Sequence, residues 1–213
     1  MSTPQVTKRI VALYDMHVPR QIELKGVLAY IKERKPTDLI VGGDYLNLEF
    51  ASHHNDALFA TIGLERVSNL LGQEFDAGIK VLRDINNVLP PDCKKFFIPG
   101  NHEFWLIEAC LKYPMLAGGL DLGISKMTFK SDLARIKKQV LANLIRKFLK
   151  TDEINMKVLD YEKELILGKQ TFIHGHTVSS PAAMQRKYPA RNLICGHHHC
   201  EMVITTHNSG DVR

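Results

Sequence analysis

Short apolar runs alternate with longer amphipathic segments along the whole chain, and this alternation is the feature that most restricts its fold. The short runs have the length and the β-branched or aromatic content of strands, whereas the longer segments carry apolar residues at helical spacing. The predicted strands are 9–14, 38–42, 95–98, 156–159, 164–167, 171–173, 193–195 and 202–205, and the predicted helices are 21–33, 57–89, 102–111 and 131–149. This order predicts an α/β fold in a single domain over residues 1–213.

Glycines refine this interpretation at two places. Gly168 and Lys169 lie between two apolar runs, which predicts a β-hairpin with a two-residue turn. The long helix 57–89 contains Gly72 and Gly78, and a break is expected near one of them because glycine weakens a helix interior.

The composition is that of a globular protein and excludes several other classes. Hydrophobic residues make up 45% of the chain and charged residues 24%, with no low-complexity tract that would indicate disorder. The first apolar run is too short for a signal peptide or a membrane span, which favours a cytoplasmic protein with no membrane partner. The four cysteines have no paired spacing, so reduced thiols are expected at Cys93, Cys110, Cys195 and Cys200.

Side chains that bind metals follow the carboxyl ends of five predicted strands. They are Asp15 and His17, then Asp44, then Asn101 beside His102, then His174 and His176, and finally His197 and His199. Loops at the carboxyl ends of strands converge on one crevice in α/β sheets, so these side chains are expected to meet. Imidazole, carboxylate and amide ligands favour Mn, Fe or Zn in a catalytic site over a cysteine-rich structural zinc site.

Most of these motifs, taken alone, also have a purely structural explanation. Asp15 and His17 fit a turn, the glycines before Asp44 fit another turn, and Asn101 fits a helix N-cap. If the segment is extended, Asp15 and His17 share one of its faces.

The run His197-His198-His199 is different, because three consecutive histidines have no obvious structural role. In an extended segment His197 and His199 point to one side, whereas His198 points away and is not expected to be a ligand. Here the metal-binding interpretation is favoured.

Together and in this order, the motifs resemble those of the calcineurin-like metallophosphoesterase superfamily. They read Asp15-x-His17, Gly43-Asp44, Gly100-Asn101-His102-Glu103, His174, and Gly196-His197-x-His199. The resemblance covers essentially the whole chain. It implies a central β-sandwich flanked by helices, an αββα arrangement, and hydrolysis of phosphoesters by metal-bound hydroxide at two divalent metal ions. Mn is expected first, with Fe, Zn, Ni and Co as alternatives.

The resemblance also implies a role for each matched residue. One metal would be bound by Asp15, His17, Asp44 and His199, and the other by the bridging Asp44 with Asn101, His174 and His197. His102 would not be a ligand but would face the phosphate as the catalytic acid. Either imidazole of His174-Gly175-His176 fits the ligand position of that loop, and His174 is favoured because it follows its strand directly.

The second motif departs from the protein Ser/Thr phosphatase branch, where it continues as G-D-x-x-D-R-G. This chain has Asn47 and Leu48 at the positions of the second Asp and the Arg. Asn47 accepts a hydrogen bond but does not stabilise an imidazolium as a carboxylate does, and Leu48 offers no phosphate clamp. A protein phosphatase is therefore the alternative function, and either Glu103 or a backbone carbonyl is left to orient His102.

Substrate contacts are expected beside the metals and along one basic segment. The candidate substrate-binding residues near the cleft are Asn47, His53, His54 and His176. Segment 126–150 has eight basic residues and one acidic residue, and its helical apolar stripe is Leu133, Ile136, Val140, Leu144 and Phe148. Its basic face is either a solvated surface or a surface that follows the phosphates of DNA or RNA.

These observations favour a phosphodiesterase or phosphatase that acts on a nucleic acid or a nucleotide. A non-catalytic nucleic-acid-binding module is the third hypothesis. It is disfavoured because a decayed site should lack ligands, and every position of the pattern is filled. The sequence does not indicate an oligomeric state.

Overall fold

The computed structural model describes residues 8–20, 23–52, 63–113, 139–175, 180–188 and 192–199. Within these ranges the strands are β1 (Ile10–Leu13), β2 (Asp38–Val41), β3 (Lys94–Phe97), β4 (Met156–Val158), β5 (Leu165–Leu167), β6 (Gln170–Ile173) and β7 (Asn192–Cys195). The helices are α1 (Leu24–Arg34), α2 (Leu64–Val88), α3 (Asn101–Lys112), α4 (Leu141–Leu149) and α5 (Pro181–Lys187), with short 3₁₀ turns at Glu49–Ala51 and Thr151–Ile154.

The strands form two sheets, and the predicted mixed α/β class is confirmed. β1, β2, β3 and β4 lie side by side in one parallel sheet, in that order. In the second sheet β6 lies between β5, to which it is antiparallel, and β7, to which it is parallel. Leu167 pairs with Gln170 across a turn in which Gly168 has a φ of 64°, so the predicted hairpin is also confirmed.

Two hydrophobic clusters cover opposite faces of the parallel sheet. Leu39 and Val41 belong to the larger cluster, which joins the sheet to α2, α3 and α4. Ile40 belongs to the smaller cluster, which also contains Leu165 and Phe172 of the second sheet. All four residues of β2 are buried, as expected of a strand that is covered on both faces.

Helix α2 runs unbroken over 25 residues, so the predicted break near Gly72 or Gly78 is wrong. Gly72 is exposed, and the helix tolerates it there. Gly78 is buried where α2 contacts its neighbours, and a Cβ at this position would lie 2.9 Å from a methyl carbon of Leu149. The Tyr45 hydroxyl also donates a hydrogen bond of 2.6 Å to the Gly78 carbonyl. Tertiary packing, which the local pattern does not reveal, keeps the helix intact.

Helix α4 carries the described part of the basic segment. Leu144 is buried, and Val140 and Phe148 pack partly buried against the larger cluster, whereas Arg146 and Lys147 are exposed. The rest of the predicted stripe, Leu133 and Ile136, lies outside the described residues, as does the predicted strand 202–205.

Two further expectations concern the thiols and the membrane. Within the described residues Cys93, Cys110 and Cys195 form no disulfide, which agrees with the expected reduced thiols, and Cys200 lies outside these residues. None of the helices in the described ranges is both long enough and apolar enough to cross a bilayer.

Candidate metal centre

The first three strands of the parallel sheet end at the same level, because Leu13, Val41 and Phe97 are in register. The loops that follow β1 and β2 remain hydrogen-bonded to each other. The Asp15 amide donates to the Gly43 carbonyl at 3.1 Å, and the His17 amide donates to the Asp44 carbonyl at 2.9 Å. The register of the sheet therefore continues into the loops and aligns the motifs that follow the strands.

The expected extended geometry of the D-x-H and H-x-H pairs is wrong. Asp15 and His17 have φ values of 51° and 47°, and His197 and His199 have values of 70° and 47°. These angles belong to the left-handed region, which Asp, Asn and His enter more readily than most residues. Successive left-handed turns, rather than the alternation of a strand, direct these side chains into the centre.

The first candidate ligand group consists of Asp15, His17 and His199, whose ligand atoms lie within 4.8 Å of one another. His17 Nε2 is 3.3 Å from His199 Nε2, and His199 Nε2 is 3.9 Å from Asp15 Oδ1. The Asp15 carboxylate also accepts the His197 amide at 2.9 Å. Asp15 thus connects the loop after β1 to the loop after β7.

The second candidate group consists of Asp44, His174 and His197, again within 4.8 Å of one another. His174 Nε2 lies 3.2 Å from Asp44 Oδ2 and 2.9 Å from Asn101 Oδ1. The cap residue of α3 is Gly100, so the alternative interpretation of Asn101 as an N-cap is wrong. The Asn101 side chain is free to join the group because it does not cap the helix.

Asp44 contacts both groups. It is 1% exposed and forms a third set with His17 and His102, so its carboxylate faces the first group as well as His174 and His197. Asp44 Oδ1 also accepts the backbone amide of His102 at 2.9 Å. One buried carboxylate thus lies between the two groups.

Glu103 holds the loops together and does not orient His102. Its carboxylate accepts three backbone amides, from Gly100 at 2.8 Å, Leu46 at 2.9 Å and Asp44 at 3.2 Å. Burial and the nearby Asp44 carboxylate raise the pKa of Glu103 to about 7. A single buried side chain therefore joins the loop after β2 to the start of α3.

His102 is oriented by a backbone carbonyl, the second of the two alternatives left open by the sequence. Its Nδ1 is hydrogen-bonded to the Asn47 carbonyl oxygen, while its Nε2 faces the centre, 3.7 Å from Asp44 Oδ2. The ring packs against Trp105 with a centroid distance of 3.9 Å. Asn47 therefore contributes through its main chain, which the sequence alone could not indicate.

Glu74 of α2 supports this arrangement and was not identified from the sequence. Its carboxylate accepts the Leu48 amide at 2.7 Å, next to the carbonyl that holds His102. Leu48 has a φ of 39°, a conformation that is unfavourable for leucine unless its surroundings hold it in place. An isolated glutamate on a long helix carries no signal that would have revealed this role.

At two glycines of the motifs, neighbouring atoms lie so close to the Cα that there is no room for a side chain. Gly43 has a φ of 93°, and a Cβ there would lie 2.5 Å from His174 Nδ1. At Gly100 a Cβ would lie 2.2 Å from Asp44 Oδ1 and 2.3 Å from the Asp44 backbone nitrogen. A side chain at either position would displace a candidate ligand.

The surroundings of His17 and His197 favour the neutral form of their imidazoles. Burial and the neighbouring His102 lower the pKa of His17, and burial and the neighbouring His174 lower the pKa of His197. Burial alone would lower the pKa of His174, but the hydrogen bond and the charge of the Asp44 carboxylate together have the larger effect. The pKa of His174 is therefore raised. A cation must displace a proton from imidazole before it binds, so depressed pKa values at His17 and His197 favour metal binding.

These residues fit a pair of divalent cations. His17 Nδ1 is buried and has no hydrogen-bond partner among the described residues. Within the same part of the chain, no Lys or Arg forms an ion pair with Asp15 or Asp44. The carboxylates, the imidazoles and the Asn101 amide form a mixed oxygen and nitrogen donor set, which suits Mn, Fe, Co, Ni or Zn.

The remaining candidates divide into two sets. Asn47 is 8% exposed and lines the cleft beside the centre, whereas His53, His54 and His176 lie outside the described residues. His198 belongs to none of the three candidate groups found in the described residues, in agreement with the expectation that it is not a ligand, although the segment is not extended as that expectation assumed. Comparisons of this chain with family models, with curated proteins and with solved structures return no match.

Proposed function

We propose that this chain hydrolyses phosphoester bonds with the help of two divalent cations. The observation that carries the proposal is the position of Asp44, a buried carboxylate shared between two groups of candidate ligands. Asp15, His17 and His199 would complete one cation site with Asp44, and Asn101, His174 and His197 would complete the other. Two cations in such a pair lower the pKa of a water molecule and neutralise charge on the phosphoryl oxygens.

His102 is the proton donor in this proposal. Its Nδ1 is occupied by the Asn47 carbonyl, so the ring has only Nε2 to offer to the leaving oxygen. Trp105 on one side and His17 on the other limit rotation of the ring, with centroid distances of 3.9 Å and 4.5 Å. A fixed acid at the leaving group is worth ~10²–10⁴-fold in rate.

The proposal extends to the fold, for which we infer the αββα sandwich that the resemblance implies. The smaller hydrophobic cluster supports this inference, because it contains Ile40 of the parallel sheet together with Leu165 and Phe172 of the second sheet. Side chains on one face of each sheet would then form the inner layer of the sandwich.

Two other functions are less well supported. Leu48 is 1% exposed, so a residue at this position does not reach a phosphate as the arginine of protein Ser/Thr phosphatases would. A non-catalytic nucleic-acid-binding function would not explain why seven potential metal ligands lie close together. Nucleic acid nevertheless remains a proposed substrate through segment 126–150, of which Arg146, Lys147 and Lys150 are exposed.

The test is hydrolysis of bis-p-nitrophenyl phosphate by protein stripped of metal and reloaded with Mn²⁺, Fe²⁺, Co²⁺, Ni²⁺ or Zn²⁺. We expect turnover with at least one cation, Mn²⁺ first, and none after chelation. Absence of turnover with each of the five cations would contradict the proposal. A strong preference for phosphoserine peptides over the diester would instead favour a protein phosphatase.

A further inference from the structure

An open cleft of about 990 Å³ adjoins the candidate centre, and His17, His102 and His199 are among the residues that line it. Leu24 and Val27 of α1 form part of its wall. This volume is at the upper end of the range for sites that bind small molecules. The cleft is thus large enough for an organic group attached to a phosphate held at the centre.

The apolar part of the wall comes from separate elements. Leu24 and Val27 lie on α1, Met16 on the loop after β1 and Trp105 on α3, and each is partly buried against the larger cluster. Trp105 also packs against His102, so an apolar surface begins at the ring of the proposed proton donor. An organic group that leaves the centre toward the cleft meets these side chains first.

The charge of the described part of the cleft does not suit a polyanion. Apart from the candidate ligand Asp15, the charged residues among the described ones that line it are Arg20, Glu23 and Glu49. Arg20 forms an ion pair with Glu49, which leaves the acidic side in excess. The exposed Arg146 and Lys147 of α4 are not among the residues that line the cleft. A nucleic-acid strand would bring phosphates toward this acidic rim, whereas an uncharged group would not.

We propose that the cleft binds the uncharged aromatic or apolar group of a small phosphoester, a group about the size of a nucleoside. The proposal rests on the proposed function, because the phosphate is placed at the cation pair. Trp105, Leu24 and Val27 determine the specificity in this arrangement. Aromatic rings stack well on a tryptophan, and the aliphatic wall completes the burial of the ring.

The experiment compares two diesters that retain the same methyl phosphate group, thymidine 5′-(methyl phosphate) and dimethyl phosphate, with hydrolysis followed by release of thymidine or methanol. Since both leaving groups are primary alcohols, a difference in kcat/KM reports the group that leaves beside His102 and lies in the cleft. We expect the thymidine ester to be favoured by about tenfold or more, the effect of one well-filled apolar pocket. A ratio near one in the unmodified protein would overturn the proposal, as would a preference for single-stranded oligonucleotide over the thymidine ester.

Variants of residues that line the cleft test whether the preference for the thymidine ester arises there. Leu24→Asn and Val27→Asn should each reduce the preference severalfold, whereas Ile166→Asn, an exposed apolar position on β5, should leave it unchanged. Melting temperatures establish that each variant is folded. An unchanged ratio in folded Leu24→Asn and Val27→Asn would contradict the assignment, and the unmodified protein decides the question if neither variant folds.

A binding measurement separates this inference from the proposed function. Calorimetry on Mn²⁺-loaded protein should give tighter binding of thymidine 5′-monophosphate than of methyl phosphate, again by about tenfold. Failure to hydrolyse any ester contradicts the proposed function, whereas equal affinities contradict the cleft. The two failures are therefore distinguishable.

Discussion

At the scale of single residues, the positions of His102 and Glu74 depend on main-chain contacts. His102 is bonded to the Asn47 carbonyl, and Glu74 accepts the next amide of the same turn. Neither contact depends on the identity of the side chain at Asn47. The orientation of His102 therefore requires no carboxylate at position 47, because the main chain of the turn supplies the hydrogen bond.

We expect His102→Asn to lower kcat by ~10²–10⁴-fold, because the variant lacks the proton donor proposed for the leaving oxygen. Both cations should remain bound, since His102 is not one of the proposed ligands. Steady-state kinetics and elemental analysis of the purified variant measure the two properties. Loss of bound metal from this variant would contradict the separation of the donor from the ligands.

Glu74 should make stability dependent on pH. Burial raises its pKa from 4.5 to about 7, an effect that the Leu48 amide only partly opposes. The unfolded carboxyl group ionises near its ordinary pKa, so the folded state holds the proton more tightly. The stability that this group contributes is therefore fully present below about pH 4.5 and is lost as the pH rises through about 7.

The variant Glu74→Gln cannot ionise but retains an acceptor for the Leu48 amide. We expect its free energy of unfolding to fall less than that of the unmodified protein between pH 4.5 and 7. Urea denaturation at several pH values provides the measurement. Equal pH dependence in the two proteins would show that Glu74 titrates in the same way in the folded and unfolded states.

At the scale of elements, α2 shows how one helix responds to glycine in two environments. Gly72 faces open space, since nothing beyond its chain neighbours and the backbone of its own helix lies within 4 Å of the position that a Cβ would occupy. At Gly78 the corresponding position lies 2.9 Å from side-chain carbons of both Leu46 and Leu149. The local sequence does not distinguish the two glycines, but Gly72 is exposed whereas Gly78 is buried.

Leucine substitutions at these two positions form a matched pair. Gly72→Leu should stabilise the protein by up to about 1 kcal/mol, because leucine favours the helical conformation. Gly78→Leu should destabilise it by about 1–3 kcal/mol, because the added side chain overpacks the contact with α4. Urea denaturation measures both changes, and stabilisation by Gly78→Leu would mean that the helices do not pack as described.

At the scale of the whole molecule, the candidate centre joins the two sheets. Asp15, His17, Asp44 and Asn101 follow strands of the parallel sheet, whereas His174, His197 and His199 follow strands of the second sheet. The smaller hydrophobic cluster also connects the sheets. Cations bound between these ligands would hold the two sheets together.

Metal binding should therefore stabilise the fold. A free cation concentration of 100 times the dissociation constant adds about 2.7 kcal/mol to the free energy of unfolding. We expect Mn²⁺ to raise the melting temperature and chelation to lower it. Asp44→Ala should lose both cations and show no such increase, whereas His102→Asn should behave like the unmodified protein. An equal increase in Asp44→Ala would contradict a bridging role for this carboxylate.

The sequence predicts the elements and the candidate ligands better than their local geometry. Strand ends followed by Asp and Asn were sufficient to bring Asp15, Asp44 and Asn101 to one place, because neighbouring parallel strands end at the same edge of their sheet. The left-handed turn at His17 and the packing of Gly78 depend on contacts far along the chain. The same is true of the apolar wall of the cleft, whose members are separated by up to 90 positions and have no common motif.

Five of the seven candidate ligands have positive φ values, a conformation that glycine adopts more easily by ~1 kcal/mol. They are Asp15, His17, Asp44, His197 and His199. At each of these positions the backbone is therefore less favourable than it would be with glycine, and binding of cations at the proposed centre would explain why Asp and His stand there. An engineer seeking heat resistance without loss of activity should leave these five residues unchanged and begin at surfaces such as Gly72.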